Sequence, residues 1–250
     1  MDLHLTGKRA IVAGASRGIG LEVVRRLYHE GVRVLAVSRS ASPEVKDSGA
    51  FLVQADLTHP DGVAALVRQA EIHLGHVDFL VNCVGGVQFG ARKDDLQVTP
   101  EQWRTTFEVN VVTAFEIVTK ILPLMRTRGA IVHIAGLAAH MPGAGPIDNS
   151  ASKAALIAMT RSIAFHASRY GVRSNSISPG PVATSMWEDI AAMNGVTLEE
   201  FFERLPKTLR MRTGQMVAPT EVAALTAFML SPYAASITGA DYEMSGGLRP

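Results

Sequence analysis

Short aliphatic, β-branched runs alternate with longer segments of helical spacing along the whole chain, and this alternation leaves few architectures open. The short runs are Ala10–Ala13, Val32–Val37, Phe51–Val53, Phe79–Val81 and Ile131–Ile134, with weaker ones at Ser174–Ile177 and Ile237–Met244. Continuous apolar runs of this length suit strands buried on both faces. Between them, Ile19–His29, Gly62–Leu74, Pro100–Met125, Ser150–Tyr170 and Thr220–Leu230 carry helical periodicity. Thr99 followed by Pro100 and Gln102 reads as a helix start, and Pro219-Thr220-Glu221 as another. Strand and helix taken in turn require parallel strands joined by helical crossovers. The expectation is one α/β domain over residues 1–250, a doubly wound parallel sheet of about seven strands with helices on both faces.

Composition narrows the function classes. The chain has 250 residues, 47% of them hydrophobic and 19% charged, enough for a sizeable core. A net charge of +1 without a basic block removes the electrostatic case for nucleic acid or an anionic membrane surface. The single Cys83 excludes an intrachain disulfide and a Cys-based zinc site, so no metal site is expected. No apolar run approaches the ~18 residues of a membrane span, and Met1-Asp2-Leu3-His4 is unlike a signal peptide. A cytoplasmic protein is expected.

One stretch breaks the rhythm. From Ala183 to Gln215, Met186, Trp187, Met193, Phe201, Phe202, Leu205 and Met211 are scattered among charges. Its place just past the C-terminal edge of a strand, where open α/β sheets bind ligands, suits a flap over a site. An ordinary helical excursion packed on the core is the alternative.

The first strand runs into Gly14-Ala15-Ser16-Arg17-Gly18-Ile19-Gly20, and a helix follows. Glycines there permit a tight turn and close approach of backbone to a pyrophosphate at the helix N-terminus. With three residues between Gly14 and Gly18, the segment resembles the Thr-Gly-x-x-x-Gly-x-Gly of the short-chain dehydrogenase/reductase family, with Ala13 in place of the Thr. Asp56-Leu57 after the third strand resembles the family's adenine contact, and Asn82-Cys83-Val84-Gly85 its Asn-Asn-Ala-Gly. Asn110 sits in the fourth helix where the family keeps a catalytic Asn. Ser150-Ala151-Ser152-Lys153 matches the end of its Tyr-x-x-x-Lys stretch. Pro179-Gly180-Pro181-Val182-Ala183-Thr184 resembles its Pro-Gly segment, whose Thr reaches the nicotinamide carboxamide. The resemblance covers essentially the whole chain and implies a Rossmann-type fold, a nicotinamide cofactor and a homodimer or homotetramer.

Cofactor choice has a physical argument. Sites preferring NAD place an acid at the end of the second strand for the ribose 2′-hydroxyl. This chain has Ser38-Arg39 there, with Arg17 in the glycine loop. Two guanidinium groups and a hydroxyl suit a 2′-phosphate through charge-assisted bonds, so NADP(H) is expected.

The catalytic half departs from the resemblance. Counting back from Lys153 puts Asn149 at the family's Tyr position and Gly136 at its Ser position, and no Tyr lies between Tyr28 and Tyr170. An Asn amide donates a hydrogen bond but does not titrate usefully. Loss of a positioned general acid costs about 10²–10⁴ in rate. Lys153 retains the ribose contact that the resemblance implies. His140 in the loop beyond Gly136 is a candidate proton donor, or a loop histidine satisfied by backbone. Asp148 reads as an N-cap, His133 as structural, and Asn149 as a hydrogen-bond donor to a substrate carbonyl. Dienoyl-CoA reductases, a branch of the family, also lack the Tyr and reduce conjugated C=C bonds. The sequence therefore points to an NADP(H)-dependent oxidoreductase with catalytic candidates Asn110, Lys153, Asn149 and His140, acting on an apolar or aromatic carbonyl or conjugated C=C substrate. A non-redox lyase, isomerase or cyclase, or an inactive NADP-binding protein, are the alternatives.

Overall fold

The structure is a computed structural model that describes residues 1–86, 95–141, 143 and 145–248. Seven strands form one parallel sheet: β1 (Arg9–Ala13), β2 (Arg33–Ser38), β3 (Phe51–Gln54), β4 (Val77–Asn82), β5 (Met125–Ile134), β6 (Arg173–Pro179) and β7 (Asp241–Met244). Their order is β3-β2-β1-β4-β5-β6-β7, with the order reversing between β1 and β4. The crossover from β3 back over β1 to β4 opens a crevice at the C-terminal ends of those two strands, where ligands of open α/β sheets bind.

Alternation within each strand feeds two cores. Val12, Ala36, Val81, Val132 and Ile177 face one layer, under α1 (Gly18–His29) and, near the end of the chain, the helix Pro219–Leu230. Ile11, Leu35, Leu80 and Ile131 face the other, under α3 (Pro60–His73), α5 (Thr113–Ile121) and α6 (Ile147–Ala167). A short α2 (Pro43–Lys46), capped by Ser42, follows β2 and was not foreseen from the sequence.

The expected continuous helix Pro100–Met125 is four pieces. Helix α4 (Pro100–Phe107) starts at a Thr99–Gln102 capping box, a π-helical turn spans Glu108–Val112, and α5 follows, ending in a 3-10 turn at Leu122–Leu124. Pro123 in that last turn lacks the N–H a continuing helix needs. Met125 is already the first residue of β5, six residues before the expected start at Ile131. The helix expected at Ser150–Tyr170 begins at Ile147 and ends in a 3-10 turn over Ser168–Tyr170.

The stretch Ala183–Gln215 holds a 3-10 turn (Ser185–Trp187), α7 (Glu188–Met193) and α8 (Leu198–Thr208); α9 is the Pro219–Leu230 helix. Val182 bridges Val217, Ala183 N–H donates to Val217 O, and Val217 N–H donates to Pro181 O. The excursion is thus clamped at its base against the end of β6. Among the described residues no helix is long and apolar enough to cross a membrane, and no cluster of His, Cys, Asp and Glu could hold a metal ion.

Candidate active site

The turn from β1 into α1 brings backbone where side chains would not fit. Gly14 has φ +82, and a Cβ there would lie 2.7 Å from the carbonyl carbon and oxygen of Cys83 at the end of β4. Gly18 has φ +57, and its Cβ would stand 3.3 Å from Thr184 Cγ2, so the glycine loop meets the segment that follows β6. A Cβ on Gly20 would overlap the Gly14 carbonyl. Ile19 leans on the first core. Helix α1 has no side-chain cap at Arg17 and no acid in its first turn, so its own residues leave the positive end of its dipole unneutralised.

The rim of this crevice comes from β2 and β3. Ser38 is buried and donates to Ser40 O at 2.7 Å, while Ser42 Oγ donates to Ser16 O at 2.9 Å and ties the glycine loop to the start of α2. Arg17 and Arg39 are exposed, and neither has an ion pair among the described residues. Asp56 Oδ1 accepts from Thr58 Oγ1 at 2.7 Å and Thr58 N–H at 3.0 Å. Those bonds, the hydroxyl first, hold its carboxyl below the usual range, with a smaller contribution from Arg39. Leu57 beside it is buried in the second core. At the far rim, Gly180 N–H donates to Met244 O at 3.0 Å and fixes the turn after Pro179. Val182 O accepts from Trp187 Nε1 at 2.8 Å.

Where β4, β5, α6 and the π-helical turn converge, the site is polar and buried. Asn110, fully buried on that turn, donates from Nδ2 to Ser152 Oγ at 2.9 Å and to Gly86 O at 3.3 Å, and its Oδ1 accepts Gly86 N–H at 3.0 Å. Ser152 Oγ in turn donates to Asn149 O at 2.8 Å. Asn110 therefore spends its amide on scaffolding, pinning the loop after β4 to α6. Asn149 and Lys153, one helical turn apart, lie on one face of α6, and both are buried. Lys153 Nζ donates to Ile134 O at 3.2 Å. Asn149 Oδ1 is buried without a partner among the described residues. A Cβ on Gly85 would stand 2.9 Å from Asn110 Oδ1 and 3.0 Å from Lys153 Nζ, whereas a Cβ on Gly136 would meet only Lys153 Cγ, at 3.8 Å.

Burial controls the titration here. It lowers Lys153 from 10.5 to about 8 and raises the Cys83 thiol to about 12. It also lowers His133 to about 4, with Lys153 adding to the effect. Cys83 and His133 are thus neutral near pH 7, and neither gives Lys153 a counter-ion.

His133 belongs to a polar row across the sheet. Asn82 pairs in register with His133, His133 with Ser176, and Ser176 with Asp241, so all four point to the α6 side of four neighbouring strands. Asn82 Nδ2 and His133 Nδ1 are 3.5 Å apart, and Asn82 Oδ1 accepts Val84 N–H at 3.2 Å. At the far end, Asp241 accepts from Ser176 Oγ at 2.5 Å and Ser178 Oγ at 2.9 Å. His140 Nε2 lies 2.7 Å from Asp241 Oδ2. The candidate donor His140 is therefore committed to the β7 edge rather than to α6. Asp148 is not an N-cap: it is the second residue of α6, buried, and its Oδ2 accepts from Thr106 Oγ1 of α4 at 2.6 Å.

A family described as Enoyl-(Acyl carrier protein) reductase matches residues 14–249. The chain is 32% identical over 247 residues to L-fucose dehydrogenase of Mus musculus, covering 97% of this chain and 88% of that one. A solved short-chain dehydrogenase/reductase from Serratia marcescens superposes with a TM-score of 0.83 at 31% identity, covering 98% of both chains. The chain belongs to the short-chain dehydrogenase/reductase family. L-sorbose reductase from Gluconobacter frateurii, solved with NADPH and L-sorbose, superposes with a TM-score of 0.89 at 27% identity over 99% of this chain and 98% of that one. Relatives of this short-chain dehydrogenase/reductase carry the names of dehydrogenases and reductases, and it is an oxidoreductase of that type.

Four contributors to the site escaped sequence reasoning. Ser152 was visible beside Lys153, but its bond to Asn110 was not. Thr106 and Asp241 carried no signal, because their partners lie 42 and 101 residues away. Cys83 was read for redox compartment, not as the neighbour of an amine.

Proposed function

We propose that the chain is an NADP(H)-dependent oxidoreductase with an altered active site, in which Gly136 and Asn149 occupy the positions of the family's Ser and Tyr. The residues present fit a dinucleotide: a glycine turn that a Cβ would block, followed by a helix N-terminus with neither cap nor acid. When bound, the reduced nicotinamide supplies a hydride. Every other function falls to the chain. The first N–H groups of α1, at Gly18 and Ile19, receive the pyrophosphate. Asp56 and Leu57 contact the adenine, Asn82 and Gly85 line the crevice after β4, and Lys153, beside Gly85, bonds the nicotinamide ribose. Val182 and Thr184 reach the carboxamide beside Pro179 and Gly180.

One observation carries the preference for the 2′-phosphate. Arg17 and Arg39 stand exposed on either side of the crevice rim, beside Ser38, where an acid would be needed for a ribose hydroxyl. The substrate we assign is an apolar or aromatic carbonyl or conjugated C=C compound. Trp187 packs against Phe201 with ring centres 5.6 Å apart above the β6 end, and Met186 is exposed beside them. The working form is a homodimer or homotetramer, since Trp103, Phe115 and Phe165 on α4, α5 and α6 are exposed.

Fluorescence titration with NADPH and NADH tests the cofactor reading. Micromolar NADPH binding with weaker NADH binding is expected, and Arg17→Ala with Arg39→Asp should weaken NADPH far more than NADH. Equal losses for the two cofactors would sink the 2′-phosphate argument. A screen led by enones, quinones and aromatic ketones then reads NADPH consumption.

A further inference from the structure

We propose that Lys153 itself is the proton-transfer group of this enzyme, delivering the proton to the substrate oxygen while Asn149 holds that oxygen beside it. This rests on the oxidoreductase reading above and names the acid that reading lacks.

The geometry leaves few candidates. His140 is bound to Asp241 at the β7 edge, and Asp148 accepts from Thr106. Asn110 spends its amide on Gly86 and Ser152. Among the described residues, Cys83 just past β4 and His133 on β5 are the titratable groups coupled to Lys153, and burial holds both neutral near pH 7. Lys153 is different. An ammonium has three N–H donors, and the described residues accept only one of them, through Ile134 O. One turn earlier on the same face, Asn149 Nδ2 donates no hydrogen bond among the described residues and is free to donate to a substrate oxygen, while its Oδ1, an acceptor, is buried without a partner there.

Space supports the same assignment. Among the described residues, chain neighbours aside, only the Lys153 stem comes within 4 Å of the point where a Gly136 side chain would begin. Asn149 is shorter than a phenol by most of a ring, so a substrate oxygen can approach the amine directly. Burial, with no counter-ion among the described residues, brings the amine to about 8, close to working pH, where a general acid is most effective.

The step balances. The substrate carbon gains a hydride, for which a bound reduced nicotinamide would be the two-electron reductant, so a C–H bond forms, the C=O or conjugated C=C π bond breaks, and negative charge comes to rest on oxygen. One Lys153 N–H bond breaks and an O–H bond forms, giving the alcohol, or the enol when an enone is reduced. Lys153 is left as a neutral amine and regains a proton from water.

Two measurements test this, one without cofactor. Protein labelled with ¹³C at lysine Cε, with Lys153 assigned by the signal lost in Lys153→Arg, should titrate at Lys153 with a midpoint near 8. A midpoint near the ordinary 10.5 would overturn the proposal alone. In turnover, kcat for reduction should be flat below about pH 8 and fall tenfold per pH unit above it. Lys153→Arg should cost about 10²–10⁴ in kcat and remove that break, since a guanidinium does not titrate there. An Arg variant that binds NADPH and keeps its rate within tenfold would overturn it as well. Failure of the wild type to bind either NADPH or NADH, read by fluorescence, would overturn the cofactor reading on which this step rests.

Discussion

At the residue scale, Lys153 links stability to pH. Its folded value, about 8, lies below the unfolded 10.5 because burial disfavours the ammonium. Below pH 8 both states are protonated and the buried charge costs stability in full. Between 8 and 10.5 only the unfolded state keeps the proton, so stability rises with pH across that window. The gap corresponds to on the order of 3 kcal/mol. Lys153→Met should therefore unfold at higher temperature than wild type at pH 6–7, with the difference shrinking towards pH 10. A difference independent of pH in differential scanning fluorimetry would contradict the buried charge. Gly136 offers a second handle, since its φ of 168 is ordinary extended backbone and its Cβ position is open. Gly136→Ser should fold with a Tm within about 2 °C of wild type, a surface-like change of under about 0.5 kcal/mol. Together with Asn149→Tyr it should raise reduction of small ketones. No gain with any ketone that enters the pocket would mean that the absence of the family's Ser and Tyr is not what limits the rate.

At the element scale, the site depends on how α4, the π-helical turn and α6 are fastened. The Thr106–Asp148 bond of 2.6 Å joins α4 to the first turn of α6, whose next residue is Asn149. Thr106→Val would leave a buried carboxylate one donor short, at a cost of about 1–3 kcal/mol, and Thr106→Ser should restore most of it. Chemical denaturation reads both. Equal stability of the Val and wild-type proteins would show that the bond holds nothing. The π-helical turn has a similar role, since one extra residue in the helical ladder is the kind of insertion found at functional sites. Here it carries Asn110, whose amide reaches Gly86 and Ser152 at once. The motif around Lys153 was legible in sequence because its residues are adjacent. The break of the Pro100–Met125 pattern was not, because the turn over Glu108–Val112 is rich in valine and holds no glycine or proline to mark the extra residue. Pro123 was the only visible sign of an end.

At the scale of the whole molecule, Trp103, Phe115 and Phe165 leave apolar surface on α4, α5 and α6. Sedimentation velocity should give the mass of two or four chains, and Phe165→Glu should shift it towards one if this surface is the contact. A wild-type monomer at micromolar concentration would dismiss the assembly. The sequence by itself determined the α/β alternation, the glycine turn, the arginines at the rim and the spacing from Lys153 to Asn149 and Gly136. Each of these is carried by neighbouring residues and by local periodicity. Only the tertiary structure decided that His140 serves Asp241, that Asn110 is scaffolding and that Cys83 and His133 leave Lys153 without a counter-ion. It also aligned Asn82, His133, Ser176 and Asp241 into one row across four strands. Those relations depend on strand register and burial, which join residues far apart in the chain, and no local pattern encodes which buried group will meet which partner.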